Sequence, residues 1–285
     1  MKSNSIGTQF FKYALALAIF CSLGSIVFGQ TKADDKVKNK DFCSYNNYSN
    51  GDKAQYKETR EMTLPAGSLV NIDGKRNGGI KVKGENRSDV LVRACVQTVG
   101  TTDEEARAAA KNIRIETGST IRAEGVGEES NFAVSYEILV PRSSNLKLVA
   151  LNGGISVNSV EGAIEFETIN GGVNLKDVAG DVKGRTKNGG VNVVLSGSSW
   201  KGSGLDVETT NGGVHLTMPE SYAARVETGT VNGGFKSEIG ALNVDRTERS
   251  RGARISTNLN GGGATIRVIT TNGGIKISSA SIRNL

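Results

Sequence analysis

The tripeptide Asn-Gly-Gly occurs eight times in this chain, starting at Asn77, Asn152, Asn170, Asn188, Asn211, Asn232, Asn260 and Asn272, and it is nearly always followed by Ile, Val or Phe. A fixed-period repeat constrains the fold before any other feature does. Between Asn152 and Asn188 the copies fall 18 residues apart, and weaker copies sit halfway between them at Glu161-Gly162-Ala163-Ile164 and Ala179-Gly180-Asp181-Val182. The period is therefore nine.

Within each unit, position 4 is apolar (Ile155, Ile164, Val173, Val182, Val191), and so is position 6 (Val157, Phe166, Leu175, Val193), except at Gly184. That is the alternation of a strand with one face buried. Asn and Gly tolerate positive φ, so Asn-Gly-Gly predicts a sharp turn before each strand. A meander of hairpins has the same pitch, but it gives no reason for strong and weak turns to alternate. A coil with two strands per rung does, because every Asn-Gly-Gly then falls on one edge and every weak turn on the other. The expected fold is all-β: a β-solenoid of about nine residues per strand-turn unit and 18 per rung. Its structural turns are at Asn152, Asn170, Asn188, Asn211, Asn232 and Asn272, and the register is lost after Gly252.

Composition agrees with narrow, turn-rich strands, since 37 of 285 residues are Gly, above the roughly 7% average. Residues 1–29 carry Lys2 and Lys12, no acid, and an apolar run from Tyr13 to Phe28, too short to span a membrane. They read as a secretory signal peptide. No second apolar stretch follows, so no transmembrane segment is expected in the mature chain, and the destination is periplasm, cell surface or medium. Removing Lys2 and Lys12 takes the formal charge from +6 to +4 (6 − 2), a mild excess that argues against nucleic acid as partner. Acidic glycans or other envelope components remain as partners. Cys43 and Cys95 survive export into a compartment that permits a disulfide, and closing that loop is worth on the order of 4 kcal/mol.

Residues 30–60 read as a polar leader and 61–285 as a single elongated domain, with regular repeats from about 143. Thr102-Asp103-Glu104-Glu105 followed by Ala-rich sequence predicts one short helix near 102–112, opened by a capping box. It is expected to cover an end of the solenoid, where bare strand edges recruit other chains.

The residues resemble a family of bacterial adhesin-like proteins of unknown function, carried by Leu64-Pro65-Ala66-Gly67, Asn77-Gly78-Gly79-Ile80 and the later repeats, including Thr209-Thr210-Asn211-Gly212-Gly213-Val214. The resemblance spans about Met62 to Leu285. It implies a β-solenoid-like domain in the cell envelope and carries over no catalytic residues.

Chemistry is sparse. The single histidine, His215, falls at an outward position, without the partners of a triad or a metal set. Glu165 and Glu167 share an outward face and could serve glycan hydrolysis or lysis as a carboxylate pair, although a solvated strand face explains them as well. No phosphate-binding loop or calcium-binding nonapeptide occurs, so neither a cofactor nor a metal is expected. Three insertions, 197–201, 220–222 and 241–251, follow Asn-Gly-Gly units and share one edge. They bring together Trp200, Lys201, Tyr222, Arg246, Arg249 and Arg251, and an aromatic beside cations suits an acidic sugar. The competing reading has Trp200 folded back to seal the edge.

The chain is thus expected to be an exported, non-enzymatic solenoid presenting a binding or adhesion surface. The alternatives are a polysaccharide lyase or hydrolase on a β-helical scaffold, and a periplasmic structural or envelope-stress protein.

Overall fold

The computed structural model describes residues 42–45, 53–125, 131–242 and 252–280; the signal-peptide segment lies outside them. Strands fall into two ten-stranded sheets. Sheet 1 runs in the order β1 (Ala54–Pro65), β4 (Asp89–Gly100), β7 (Phe132–Pro141), β3 (Ile80–Glu85), β9 (Ile155–Asn158), β11 (Val173–Lys176), β13 (Val191–Val194), β15 (Val214–Met218), β20 (Ile275–Ser279), β17 (Phe235–Ser237). Sheet 2 runs β18 (Ala253–Leu259), β16 (Ala224–Asn232), β19 (Thr265–Asn272), β14 (Gly204–Asn211), β12 (Ala179–Asn188), β10 (Glu161–Thr168), β8 (Leu146–Ala150), β2 (Val70–Asp73), β6 (Ile121–Glu124), β5 (Arg114–Thr117). Strand β1 begins at Ala54, inside the stretch that the sequence reading gave to the polar leader.

From β8 to β15 successive strands alternate between the sheets, and each pairs in parallel with the strand two further along. Ile164 lies opposite Val182, and Val173 opposite Ile155 and Val191. Like residues therefore stack on like, and Ile155, Val157, Ile164, Val173, Leu175, Val182, Val191 and Val193 are buried in one continuous core between the sheets. Gly184 interrupts the inward series because the Phe166 ring of the next strand fills its place.

The Asn-Gly-Gly edge is held by side chains as well as backbone. Asn170 Nδ2 donates to Asn152 Oδ1 at 2.8 Å, Asn188 to Asn170 at 2.7 Å, Asn211 to Asn188 at 2.8 Å, Asn272 to Asn211 at 2.8 Å and Asn232 to Asn272 at 2.8 Å. Beneath this ladder runs a second one. Thr168, Thr186, Thr209, Thr270 and Thr230 are buried, and each hydroxyl donates at 2.8 Å to the carbonyl of the first glycine in the adjacent turn: Gly153, Gly171, Gly189, Gly212 and Gly273. An inward hydroxyl is tolerated because it is satisfied.

The glycines do not serve the purpose read from the sequence. None of the ladder turns places Gly at positive φ; positive φ belongs to the weak-turn edge, at Gly180 (105°) and Gly202 (113°). The first glycine of each ladder turn is required by close stacking instead, since a Cβ there would approach the carbonyl of the turn below to less than 3.0 Å. Asn260 is the exception among these copies. It has φ 47° and follows the last residue of β18, and its Nδ2 donates to Glu220 and Tyr222 carbonyls instead of joining the ladder.

An interior ladder residue makes two amide bonds and an end residue one, each worth about 1 kcal/mol net. Asn188→Ala is therefore expected to cost about twice as much stability as Asn232→Ala in chemical denaturation. Equal costs would mean that the ladder is only decoration on the turns.

The helix α1 (Asp103–Lys111) is capped by Thr102, whose side chain accepts from Glu105 N–H, while Glu105 accepts from Thr101 N–H at 2.9 Å. It buries Ala106 and Ala110 against β4 and β1, at the β1 end of sheet 1. A disulfide joins Cys43 to Cys95, tying the short 3-10 turn Phe42–Tyr45 to β4.

Candidate functional site

Strand alternation sends every second side chain of each sheet outward, and the two outer faces are chemically different. On sheet 2 the register sets Lys147, Glu165, Lys183, Asp206, Arg267 and Glu227 in one row, so the charge changes sign from strand to strand. A second row carries Glu167, Arg185 and Glu208, with the same signs on the same strands. Between the rows lies a shallow groove of about 350 Å³, floored by Leu148, Phe166 and Gly184.

The candidate carboxylates sit in this groove, Glu167 paired with a cation and Glu165 beside cations in register. Glu167 accepts from Arg185 at 3.0 Å, and Arg267 bridges Asp206 and Glu208. Glu165 lies between Lys147 and Lys183 in register, and the Lys183 ammonium is held above its usual pKa, chiefly by its hydrogen bond to Asp181.

On sheet 1 the strands β9, β11, β13, β15 and β20 send out Ser156, Asn158, Asn174, Lys176, Asn192, Val194, His215, Thr217, Lys276 and Ser278, with no acid among them. Asn192 Nδ2 donates to Asn174 Oδ1 at 2.9 Å, and His215 Nε2 shares a hydrogen bond with Ser278 Oγ at 3.0 Å. His215 is half-buried and partnered by hydroxyls. Acids return only at the borders. Glu238 lies 4.0 Å from Lys276, and Glu137 is bonded to Lys81 at 2.9 Å and Arg93 at 3.2 Å. Burial alone would raise the Glu137 pKa, but Lys81 and Arg93 outweigh it and hold the carboxyl below its ordinary value.

The insertion edge differs from its sequence reading. Segments 197–201 and 220–222 do meet on the weak-turn edge, where Ala223 N–H donates to Ser198 O at 2.7 Å and Gly180 N–H to Lys201 O at 2.7 Å. The rings, however, turn inward. Trp200 is 8% exposed and Tyr222 2%, the Trp200 indole N–H donates to Gly180 O at 3.0 Å, and burial pushes the Tyr222 phenol up to about 12. Both line the wall of a notch of about 320 Å³ together with Lys201 and Arg142, but neither offers an open ring face for stacking. Lys201 is exposed; Arg246, Arg249 and Arg251 lie outside the described residues. Trp200→Ala is accordingly expected to lower stability by about 3 kcal/mol, the cost of a large-to-small core change, in urea denaturation. Unchanged stability would put the ring back on the surface.

Sequence reasoning overlooked the contrast between the faces, although it was readable: the residues after each Asn-Gly-Gly-Val/Ile are polar and never acidic through Ser156, Asn174, Asn192, His215 and Lys276.

Compared with known proteins, residues 34–278 match the family model described as Toastrack DUF4097. No curated protein matches. Among solved structures, a putative cell adhesion protein from Clostridium sporogenes is 12% identical, covers 78% of this chain and 100% of its own, and has a TM-score of 0.40. A putative adhesin from Bacteroides fragilis is 11% identical over 79% of this chain and 97% of its own, with a TM-score of 0.37. A putative lipid binding protein from Parabacteroides distasonis is 10% identical over 78% and 96%, with a TM-score of 0.30.

Proposed function

We infer a role for this chain from the premise that it belongs to the Toastrack DUF4097 family. We propose that it is an exported, non-enzymatic binding or adhesion scaffold of the cell envelope, built as a two-strand-per-rung solenoid of about 18 residues per rung. The observation that carries this reading is the fate of the carboxylates on sheet 2. Hydrolysis or lysis of a glycosidic bond requires an acid and a base placed across the bond and tuned apart in pKa. Glu165 and Glu167 lie instead side by side on an open face, in rows whose every acid has a cation on at least one flanking strand. Such rows tie neighbouring strands together and leave no free pair aimed at a substrate.

Export rests on the basic start and apolar run of residues 1–29, and the disulfide between Cys43 and Cys95 suits an oxidising compartment. The test is twofold. A tagged full-length chain should fractionate outside the cytoplasm with its first 29 residues removed. The mature protein should bind isolated envelope polysaccharide without generating new reducing ends or unsaturated sugars. Release of such products would replace the scaffold reading with the enzyme.

A further inference from the structure

We propose that the outer face of sheet 1, across β9, β11, β13, β15 and β20, is the ligand-binding face and that its ligand is an acidic polysaccharide. This inference rests on the binding role proposed above and moves the acidic-glycan partner from the insertion edge to a sheet face.

Two observations select this face. Sheet 2 answers most of its charges internally: Arg185 is spent on Glu167, Lys183 on Asp181, and Arg267 on Asp206 and Glu208, while Lys147 and Glu165 stand opposite each other in register. An anionic ligand there meets an acid on the strand beside each cation of the row. On the five strands of sheet 1, Lys176 and Lys276 are exposed with no acid among the outward side chains of those strands, Glu238 at the border lying 4.0 Å from Lys276, and the space between the lysines is filled by amides, hydroxyls and one imidazole. The net charge of those outward side chains is positive; a polyanion gains attraction at Lys176 without breaking an ion pair, and at Lys276 it competes with Glu238 alone.

The chemistry of the remaining side chains narrows the polyanion. The amides of Asn174 and Asn192 spend only one hydrogen bond on each other, which leaves a donor on Asn174 and an acceptor on Asn192, and Ser156 and His215 extend the same row. Groups that both donate and accept, spaced one strand apart at about 4.8 Å, match the hydroxyl pairs of successive sugar rings, while the two lysines match their carboxylates. A membrane surface would need an apolar face to bury, and a protein partner would need a central aromatic or aliphatic anchor. The only outward aliphatic residue on these five strands is Val194. Nucleic acid would call for a denser row of cations.

The experiment compares two variants of the mature protein with equal loss of charge, Lys176→Gln/Lys276→Gln on sheet 1 and Lys183→Gln/Arg185→Gln on sheet 2. Each is checked for folding by circular dichroism and titrated with alginate as a polyuronate and with dextran as an uncharged control. The expected result is at least a tenfold loss of alginate affinity for the sheet 1 variant, less than a twofold change for the sheet 2 variant, and no measurable binding of dextran by the unmodified protein. Asn174→Leu/Asn192→Leu, which keeps all charges, should also weaken alginate binding, because a purely electrostatic patch would not notice it. Equal losses in both charge variants, or a loss confined to the sheet 2 variant, would overturn the assignment of the face while leaving the scaffold reading in place. Binding to vesicles of anionic phospholipid but not to alginate would overturn the ligand class. Turnover of alginate would sink the scaffold reading itself.

Discussion

Gly189→Ala is expected to unfold the repeat region, whereas Gly190→Ala, one residue further along, is expected to be nearly silent. A Cβ on Gly189 would lie less than 3.0 Å from the backbone of Gly171 and Gly172 in the turn below, with only backbone there to yield. A Cβ on Gly190 would sit 3.4 Å from the Gly213 carbonyl, ordinary contact, and its φ is not positive. Backbone stacked on backbone cannot rotate away as a side chain can, so relief would require opening the Asn and Thr ladders on both sides. The first change should cost more than about 4 kcal/mol, in the range reserved for named structural faults, and the second less than about 1 kcal/mol. Thermal and urea unfolding of the two variants measures the difference directly. Similar costs would mean that the glycines are kept for turn flexibility after all.

Val173→Asp should be at least as damaging. Val173 is 2% exposed and is flanked in register by Ile155 and Val191, with no cation facing it among the buried residues of the core. An unpaired carboxylate there must stay charged in an apolar layer or take up a proton, at a cost of several kcal/mol either way. Asn174→Asp on the same strand points to solvent and loses at most part of its bond with Asn192. Expression of the Asn174 variant as a folded protein, with the Val173 variant insoluble or molten by circular dichroism, is the anticipated outcome. A folded Val173→Asp protein would contradict the placement of β11 between two buried neighbours.

Much of this architecture was legible in the residues. Alternation at Ile155, Val157, Val173 and Leu175 names the inward face, because burial on a strand has period two whatever packs against it. The capping box at Thr102 marks the helix, because the bonds that make it are local. The buried threonines were overlooked, although each stands two residues before an Asn-Gly-Gly at Thr168, Thr186, Thr209, Thr230 and Thr270. A hydroxyl reads as outward until the carbonyl that satisfies it is known, and that carbonyl belongs to another turn.

The site was less legible for the same reason. Register brought Trp200 and Tyr222 to one edge, but whether an edge ring faces out or in depends on the space left under it. Here the ring of Trp200 finds the Gly180 carbonyl and the core. Two identical tripeptides, at Asn211 and Asn260, likewise have different fates: one joins the ladder and the other closes the turn after β18.

The repeat by itself determined that these strands would be short, half-buried and stacked like on like, because pitch and alternation are properties of the local chain. It did not determine their order. Strands β19 and β20 do not follow β16 and β17 at the end of the sheets but insert between them and β14 and β15, while β18 turns back antiparallel along β16. In chain order β16 would lie directly on β14 and set Glu227 against Asp206. The inserted β19 places Arg267 between the two acids instead; an opposite-charge pair across a sheet contributes about 0.2–1 kcal/mol, whereas like charges directly opposite are destabilising. Asn211, Asn272 and Asn232 still form an unbroken ladder in that order. Every ladder turn offers the same hydrogen bonds to any other, so the repeat is indifferent to sequence order. What tells one rung from the next is the side chains that the tertiary structure brings together, such as Arg267 between Asp206 and Glu227 on the outer face and Phe166 over Gly184 in the core.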